Sequence, residues 1–402
     1  MAILAAAVIT AAFLTGYGAG GSGTPGAQGP GSPEVHQRFR VFWEAWEVVN
    51  REFYDRSSLD PQKMTYGAIR GMLESLGDST TTFSPPASTR READQLQGSF
   101  GGVGVTVEMK DKRLIVVEPI EGTPAARAGL KAGDVILKVD DRDIAGLSRD
   151  EAIDLIRGPV GTKVKLTVAR GNLPDPISYE LVRAKIPTPT VKARMLEENV
   201  GYVWISSFSE TTPGELSKAL SDLRRQGAKA LVLDLRNDLG GYLHIAVTVA
   251  SQFLNDGVVV WEDFGSNNKR AHKVAPGGMA TDLPMAVLVN KWTASAAEIA
   301  ASAIQENGRG ILIGEKTFGK GTAQVSRGLS DGSSVHVTIA HWLTSKERRI
   351  HGQGLVPDLE VKATEEDVKE NRDPQLARAL EYLKSGLLAK IPATPQPTVV
   401  GR

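Results

Sequence analysis

Residues 230–241 read ALVLDLRNDLGG, and this stretch decides the fold class. Its first part, Ala230–Leu235, is a continuous apolar run of the kind that forms a strand buried on both faces, and Gly240-Gly241 predicts a turn into a helix. The same alternation extends along the chain, with strands predicted at 202–205, 285–289 and 311–314 and helices predicted from 212, up to about 254, from about 295 and from 373. Strands that alternate with helices indicate an α/β fold with a partly parallel sheet.

The composition excludes several classes of function. The 402 residues suggest two or three domains, and 47 basic residues balance 47 acidic ones, so no net charge attracts nucleic acid. The absence of cysteine excludes disulfides, thiolate nucleophiles and cysteine-bound metals. The six histidines include no pair at i, i+4 spacing, so a metal site is not expected, and no cofactor is indicated.

The first 33 residues carry no charge, and they predict an export signal. The apolar run Ala2–Leu14 is too short to be a secure bilayer span, and its length suits the h-region of a secretory signal, although the usual basic n-region is missing. A leftover alanine-rich tail is the alternative. We expect a signal or anchor with a flexible linker at 1–33, a possible membrane tether, and a location in the periplasm, in the cell envelope or outside the cell.

Changes in residue pattern divide the remaining chain into domains. Apolar residues spaced by three and four over 39–53 predict an amphipathic helix, and Asp60-Pro61 predicts the start of a second. From about 98 the pattern changes to short β-branched runs, glycines and a capping box at Ser148–Glu151, which predict a small β-rich domain with two helices. We predict a helical region at 34–97, the β-rich domain at 98–186, an α/β core at 187–363, a C-terminal helix at 364–390 and a loose tail at 391–402.

Three predicted strand-to-helix turns carry the residues that could perform catalysis. They are Arg236–Gly241, Asn290–Ala296 and Thr317–Gly321. Ligands bind at such strand ends in α/β sheets, because the helix N-termini there offer unpaired N–H groups. A serine at the start of a helix therefore has its neighbour's N–H placed where an oxyanion would form.

Each of these residues also has a plainer interpretation. Ser295 forms the pattern S-x-x-E with Glu298 and could be only a helix N-cap. Lys320 could be a surface lysine, and Gly240-Gly241 could mark only a close contact between a helix and a strand. In combination they supply the parts of a hydrolytic site: a serine, the N–H of Ala296, and a lysine that can act as a base if it is desolvated.

The chain resembles the carboxyl-terminal processing proteases, the tail-specific serine peptidases of family S41, over roughly residues 36–385. Three segments carry the resemblance in the family's order, with its 25-residue step from serine to lysine: Leu233–Gly241, Ala294–Ile299 and Gly314–Gln324. A fourth segment, Pro124–Ile136, resembles the family's PDZ domain. The resemblance implies a multidomain protein with a crotonase/ClpP-like α/β catalytic core, an inserted PDZ domain and an N-terminal helical segment. It also implies a serine endopeptidase that cleaves proteins near their C-termini.

By the same resemblance, Ser295 is the nucleophile and Lys320 is its general base. Gln324 is a polar partner that orients the lysine, and Ala296 with Gly240 forms the oxyanion hole.

Some positions depart from the family's pattern. The family usually has small residues where Trp292 and Thr293 stand, serine where Ala297 stands, and proline where Leu239 stands. Trp292 would narrow the pocket, and Leu239 leaves the oxyanion turn less rigid. These differences bear on specificity more than on the chemistry.

The β-rich domain predicts how substrates are recognised, because a PDZ groove binds an extended chain end as an added strand. Backbone N–H groups would hold the terminal carboxylate, and an apolar pocket would prefer protein or peptide chains that end in Ala, Val or Leu. The alternative is that the glycines only permit a turn and the aliphatic residues only fill a core. The expected peptide-binding residues are Gly102, Val103, Gly104, Val105, Ile153 and Ile156.

Arg157, at the end of the second predicted PDZ helix, is our candidate for a regulatory residue that holds the active arrangement. An ordinary arginine favoured by the helix dipole is the alternative.

Two other functions fit parts of the sequence. One is a PDZ-type scaffold on an inactive core, in which Ser295 only caps a helix. The other is acyl-thioester chemistry of the crotonase type, which we disfavour because it usually needs a carboxylate pair, and the turns offer only Asp238, Glu298 and Glu315. No pattern fixes the oligomeric state.

Overall fold

The computed structural model describes residues 33–171 and 173–385. The apolar run Ala2–Leu14 and the tail from Ile391 lie outside these described residues. The chain forms two compact units, one up to Thr65 and one from Tyr66 onward. Within the described ranges, no helix has both the length and the apolar character that crossing a membrane requires.

The described elements alternate in type along the whole chain. The first part contains α1 (Pro33–Glu52), α2 (Pro61–Glu74), β1 (Thr82–Ser84), α3 (Pro86–Gln97), β2 (Ser99–Gly102), β3 (Val105–Lys110), β4 (Arg113–Pro119), α4 (Pro124–Ala128), β5 (Val135–Val139), β6 (Arg142–Asp143), α5 (Arg149–Ile156), β7 (Lys163–Ala169), β8 (Ile177–Val182) and β9 (Ala184–Pro187). The second part contains β10 (Val191–Met195), β11 (Val200–Ile205), α6 (Thr212–Arg225), β12 (Ala230–Asp234), α7 (Leu243–Ser251), β13 (Val258–Asp263), β14 (Lys269–Lys273), β15 (Met285–Val289), α8 (Ala296–Glu306), β16 (Ile311–Gly314), β17 (Thr322–Gly328), β18 (Ser334–Leu343), β19 (Leu359–Glu360), α9 (Glu365–Lys369) and α10 (Pro374–Lys384).

The first unit contains α1 and the start of α2, as the apolar spacing predicts. The Asp60 carboxylate accepts hydrogen bonds from the N–H groups of Gln62 and Lys63, so Asp60 is the N-cap of α2. On α1 the rings of Phe42 and Trp43 meet edge to face, with centroids 5.0 Å apart.

The β-rich domain of the second unit is an antiparallel sheet with the strand order β3-β4-β5-β7-β8, and β6 pairs with β5. Alternate residues of its strands, such as Leu166 and Val168, are buried in one core. The capping box at Ser148–Glu151 begins α5, as predicted. The predicted cap at Thr123 is wrong in its bonding, because this hydroxyl donates to the carbonyls of Gly104 and Ile120 instead.

The α/β core contains a six-stranded sheet with the order β10-β11-β12-β15-β16-β19. All pairs are parallel except β10 with β11, which confirms the predicted partly parallel sheet. Every residue of β12, β15 and β16 is buried. Alternate strand residues pack against α6, α7 and α8 on one face and against α10 on the other, so the sheet is the middle layer.

Two side chains at the ends of this sheet hold elements that are distant in sequence. Arg236 forms ion pairs with Asp234 on β12 and with Asp373 before α10. Glu215 accepts from the N–H groups of Thr190 and Val191, so the capping box predicted for α6 is absent.

A second, antiparallel sheet with the order β1-β18-β13-β14 was not expected from the sequence. Strand β17 also pairs with β18, and Val337 and Ile339 of β18 are partly exposed. This sheet carries the chain segment that follows Lys320, so it positions part of the site.

Candidate active site

The three predicted turns meet at one edge of the parallel sheet, because the carboxyl ends of parallel strands lie at the same edge. The Ala294 N–H donates to the Asp238 carbonyl at 2.9 Å, and the Phe318 N–H donates to the Thr293 carbonyl at 3.0 Å. Backbone hydrogen bonds therefore join the first turn to the second and the second to the third. The third turn differs from expectation, since it leads into β17 and not into a helix.

Gly240 lies directly against the serine turn. A Cβ at this position would stand 2.8 Å from both the Ser295 Cβ and the Ala296 nitrogen, which no side chain can tolerate. Its φ of +101° also favours glycine. The structure thus brings together three residues that the sequence selected separately.

Ser295 has a backbone conformation that is unfavourable for any residue except glycine. Its φ is 55° and its ψ is −119°, in the turn between β15 and α8. Such a conformation costs about 1–3 kcal/mol and persists where the surrounding structure enforces it, often at functional sites. A strained serine between a strand and a helix is the geometry that presents a nucleophilic hydroxyl. Among the described residues, the next N–H, that of Ala296, has no hydrogen-bond acceptor.

The carboxylate of Glu298 holds the serine turn and the lysine turn together. It is fully buried, and one oxygen, Oε2, accepts from the N–H groups of both Ser295 and Lys320 at 2.9 Å. The other oxygen accepts from the Gly319 N–H at 2.8 Å and from the Thr317 hydroxyl. Burial raises the pKa of Glu298, and these hydrogen bonds oppose that rise. The S-x-x-E pattern revealed the bond to Ser295 but not the bonds to the lysine turn.

Lys320 is largely shielded from solvent, and this desolvation lowers the pKa of its amine. The carboxylate of Glu92 on α3 acts in the opposite direction. Ser295 and Lys320 are both among the described residues, and no hydrogen bond joins their side chains. The structure therefore shows the two predicted residues in joined turns, with the amine not yet on the hydroxyl.

The side chain of Gln324 contacts a different segment from the one we expected. Its Nε2 donates to the Thr80 carbonyl, where the loop before β1 meets β17. An amide nitrogen cannot accept a proton from an ammonium group, so only Oε1 is left for Lys320. An orienting role for Gln324 stays a prediction.

The expectation that Gly240 donates to an oxyanion is wrong for this arrangement. The Gly240 N–H donates to Oδ1 of the fully buried Asp238 at 2.8 Å, so it points into the interior. The Gly240 carbonyl accepts from the Phe208 N–H at 3.0 Å. Because a trans peptide places its N–H opposite its C=O, the Gly241 N–H points away from Phe208. Within the described part of the chain, this N–H has no acceptor.

The β-rich domain has a groove of about 140 Å³ between β3 and α5. β3 is an edge strand, so one side of its backbone is open to an added strand. Arg157 lies at the end of the groove with its guanidinium 4.1 Å from the centroid of the Phe100 ring. The lining includes the six predicted peptide-binding residues, Gly102, Val103, Gly104, Val105, Ile153 and Ile156.

Helix α3, which the sequence analysis missed, connects this domain with the catalytic turns. Arg91 pairs with Asp154 on α5 at 3.3 Å. The next residue, Glu92, pairs with His336 on β18 at 3.0 Å and raises the pKa of Lys320. Neighbouring side chains of one helix thus contact α5 and influence the lysine.

The described residues offer little that suggests a different site. A cavity of about 580 Å³ beside α10 is lined by Tyr202, Trp204 and Arg236, among others, but by neither Ser295 nor Lys320. In residues 33–171 and 173–385, no three or more His, Asp or Glu side chains are grouped so as to hold a metal ion.

Comparison with known proteins identifies the domains. The model of peptidase family S41 matches residues 199–361, and that of the PDZ domain matches residues 115–170.

Relatives of similar length support this match. The chain is 38% identical over 326 residues to the carboxy-terminal processing protease CtpA of Bacillus subtilis (strain 168), covering 81% of this chain and 69% of the relative. It is 36% identical over 383 residues to the carboxyl-terminal-processing protease of Synechocystis sp. (strain ATCC 27184 / PCC 6803 / Kazusa), covering 89% and 90%.

A solved structure described as an S41 protease from Bacteroides fragilis NCTC 9343 has the same fold. The TM-score is 0.50 at 17% identity, and the match covers 85% of this chain and 96% of that one. By its turns, its two domains and its relatives, this chain belongs to peptidase family S41, as a serine-type peptidase of the carboxy-terminal processing group with a PDZ domain.

Proposed function

We propose that this peptidase is an exported endopeptidase that cleaves proteins near their C-termini with a Ser295/Lys320 dyad. One observation carries the proposal: Ser295 has a strained backbone in a turn between a strand and a helix, and the same carboxylate oxygen of Glu298 binds its N–H and that of Lys320. A helix cap alone requires neither the strain nor the bond to the lysine turn.

The chemistry follows from these positions. The Ser295 hydroxyl attacks the substrate carbonyl carbon while its proton moves to the neutral Lys320 amine. The lysine then gives this proton to the leaving amine, and water hydrolyses the acyl-serine by the same route. The N–H groups of Ala296 and Gly241 stabilise the oxyanion, with Gly241 replacing the expected Gly240. Desolvation of Lys320 supports its role, because it favours the uncharged amine.

The PDZ domain selects substrates and gates the dyad in this proposal. The groove between β3 and α5 would bind an apolar chain end, with Arg157 at its end and Arg91 on the outer side of α5. Because Glu92 follows Arg91, a movement of α5 would reach the surroundings of Lys320. That movement would bring the lysine amine onto the Ser295 hydroxyl.

The location outside the cytoplasm and the membrane tether remain part of the proposal. They depend on the apolar run Ala2–Leu14.

A fluorophosphonate probe tests the dyad directly. We expect mass mapping to place the label on Ser295, and Lys320→Arg to be as inactive as Lys320→Ala, because a guanidinium stays protonated. Lys316→Arg, which changes an exposed lysine of the same turn, is the control and should keep its activity. An unlabelled Ser295 would favour a scaffold, and an active Lys320→Arg variant would exclude the lysine as base.

Substrate ends test the PDZ domain. One unfolded substrate is prepared with a free apolar C-terminus, with an amidated terminus and with a terminal Asp. We expect the first to be cleaved fastest, because the amide lacks charge-assisted hydrogen bonds and a buried, unpaired Asp side chain costs several kcal/mol. Equal cleavage of all three would mean that the domain does not select C-termini.

A further inference from the structure

Asp238 is a buried carboxyl group that the dyad chemistry does not use. Its side chain is fully buried beneath the turn that carries Gly240. Oδ1 accepts the Gly240 N–H at 2.8 Å, whereas Oδ2 has no partner among the described residues. A carboxyl group with one orphaned oxygen is expensive to bury, so its presence needs an explanation.

This carboxyl group acts as a hydrogen-bond acceptor and not as a charge. No ion pair to Asp238 is present in the described ranges, and the Gly240 N–H is the one donor it binds there. Burial raises the pKa of Asp238 well above its usual range, which favours the neutral acid. An ionised carboxylate at this place would repel the oxyanion that forms on the other side of the turn.

The hydrogen bond fixes the orientation of the glycine pair. With its N–H bound to Asp238 and its carbonyl bound to the Phe208 N–H, Gly240 has both backbone groups engaged. The next N–H, that of Gly241, is thereby left pointing away from both partners. Two adjacent glycines restrain the chain least, so their orientation must come from such bonds.

The same residue is also fixed to the nucleophile turn. The Asp238 carbonyl accepts the Ala294 N–H at 2.9 Å, one residue before Ser295. Asp238 therefore connects the turn that carries Gly241 to the turn that carries Ser295 and Ala296.

We propose that Asp238 is a positioning residue of the oxyanion hole: its Oδ1 holds the Gly240 N–H in the interior and so directs the Gly241 N–H toward the reacting carbonyl. The proposal rests on the proposed function, because it assumes acyl transfer at Ser295. It assigns the role to the shape and the acceptor oxygen of the side chain.

Two variants of nearly the same shape separate these features in the full-length enzyme. Asp238→Asn keeps the acceptor oxygen and removes the acid, whereas Asp238→Leu keeps the branching and removes the acceptor. We expect Asp238→Asn to stay within about three-fold of wild type, and Asp238→Leu to lose roughly 10- to 100-fold in kcat with little change in KM, because the bond matters most in the transition state. Labelling of Ser295 by the fluorophosphonate should slow in parallel, since the phosphonyl oxygen occupies the same hole.

The control is Asp143→Leu in the PDZ domain. Asp143 Oδ1 accepts the Ala145 N–H at 2.8 Å, the same two-residue step as in the Asp238 turn, so its loss should leave kcat unchanged. Thermal denaturation checks that each variant is folded, and Asp238→Ala replaces Asp238→Leu if the leucine prevents folding.

The outcomes are distinct. If wild type neither hydrolyses substrate nor labels at Ser295, the proposed function and the role of Asp238 both fail. If wild type is active and the variants without an acceptor match it, or Asp238→Asn is as impaired as they are, Asp238 does not position the hole through its oxygen. A fall in Tm with unchanged kcat would likewise reduce Asp238 to a structural residue.

Discussion

The pattern S-x-x-E occurs in both domains, and the two copies are used differently. At the start of α5, Ser148 has an ordinary extended conformation and exchanges hydrogen bonds with Glu151 in an exposed helix cap. At the start of α8, Ser295 has a strained conformation, and the buried Glu298 also binds the turn of Lys320.

Burial separates the two carboxylates. Hydrogen bonds from Ser148 lower the pKa of the exposed Glu151, whereas burial raises the pKa of Glu298. A four-residue pattern thus predicts a local bond, but the environment decides whether that bond only ends a helix or also builds a site.

Removing the two serines should give the largest contrast. Ser295→Ala should reduce hydrolysis by at least about 10³-fold, because the nucleophile is lost. Ser148→Ala should leave kcat unchanged and lower the free energy of unfolding by about 1 kcal/mol through the lost cap. Hydrolysis assays and thermal denaturation measure both effects. Turnover of Ser295→Ala above a few per cent of wild type would remove it from the mechanism.

The two glutamates should differ by less. Glu298→Gln leaves one acceptor oxygen for four donors, so the turns of Ser295 and Lys320 should shift, and a shift of this kind can cost roughly 10²-fold in kcat. Glu151→Gln should change neither kcat nor KM measurably. Steady-state kinetics on both variants checks this, and equal activity would show that Glu298 is only a cap.

Glu92 tests whether α3 influences the lysine. Its carboxylate favours the charged ammonium and so raises the pKa of Lys320. Glu92→Gln removes that effect, so the amine should lose its proton at lower pH and the rise of kcat/KM with pH should move toward acid. Glu180→Gln on β8 is the distant control. A pH profile that stays in place, or that moves toward alkaline pH, would contradict a coupling between α3 and the dyad.

The smallest effect is expected at the end of α5. Arg157→Ala removes the cation–π contact with Phe100, which is worth about 0.5–1 kcal/mol, so turnover should fall by about two- to five-fold with Tm little changed. Slower labelling of Ser295 in this variant would support gating by the PDZ domain. Unchanged turnover and labelling would return Arg157 to an ordinary helix end.

Some elements could not be predicted from the pattern of apolar residues. Helix α3 reads PASTRREADQLQ, which is mostly polar and has no apolar stripe. Strand β18 alternates apolar and polar residues, but Val337 and Ile339 face outward, so its alternation does not mark a buried face. These two missed elements frame the dyad, through Glu92 and through the pairing of β18 with β17.

The sequence by itself determined the alternation of strands and helices, the three turns and the residue types placed in them. It did so because a buried parallel strand needs a continuous apolar run and a turn needs glycine or polar residues, and both are local requirements.

Only the tertiary structure decided which groups bond to one another. One oxygen of Glu298 serves Ser295 and Lys320, and Asp238 takes the Gly240 N–H that the sequence had assigned to the oxyanion. The reason is that a buried polar group bonds to whatever folding places within about 3 Å, and that neighbourhood is set by segments distant in sequence.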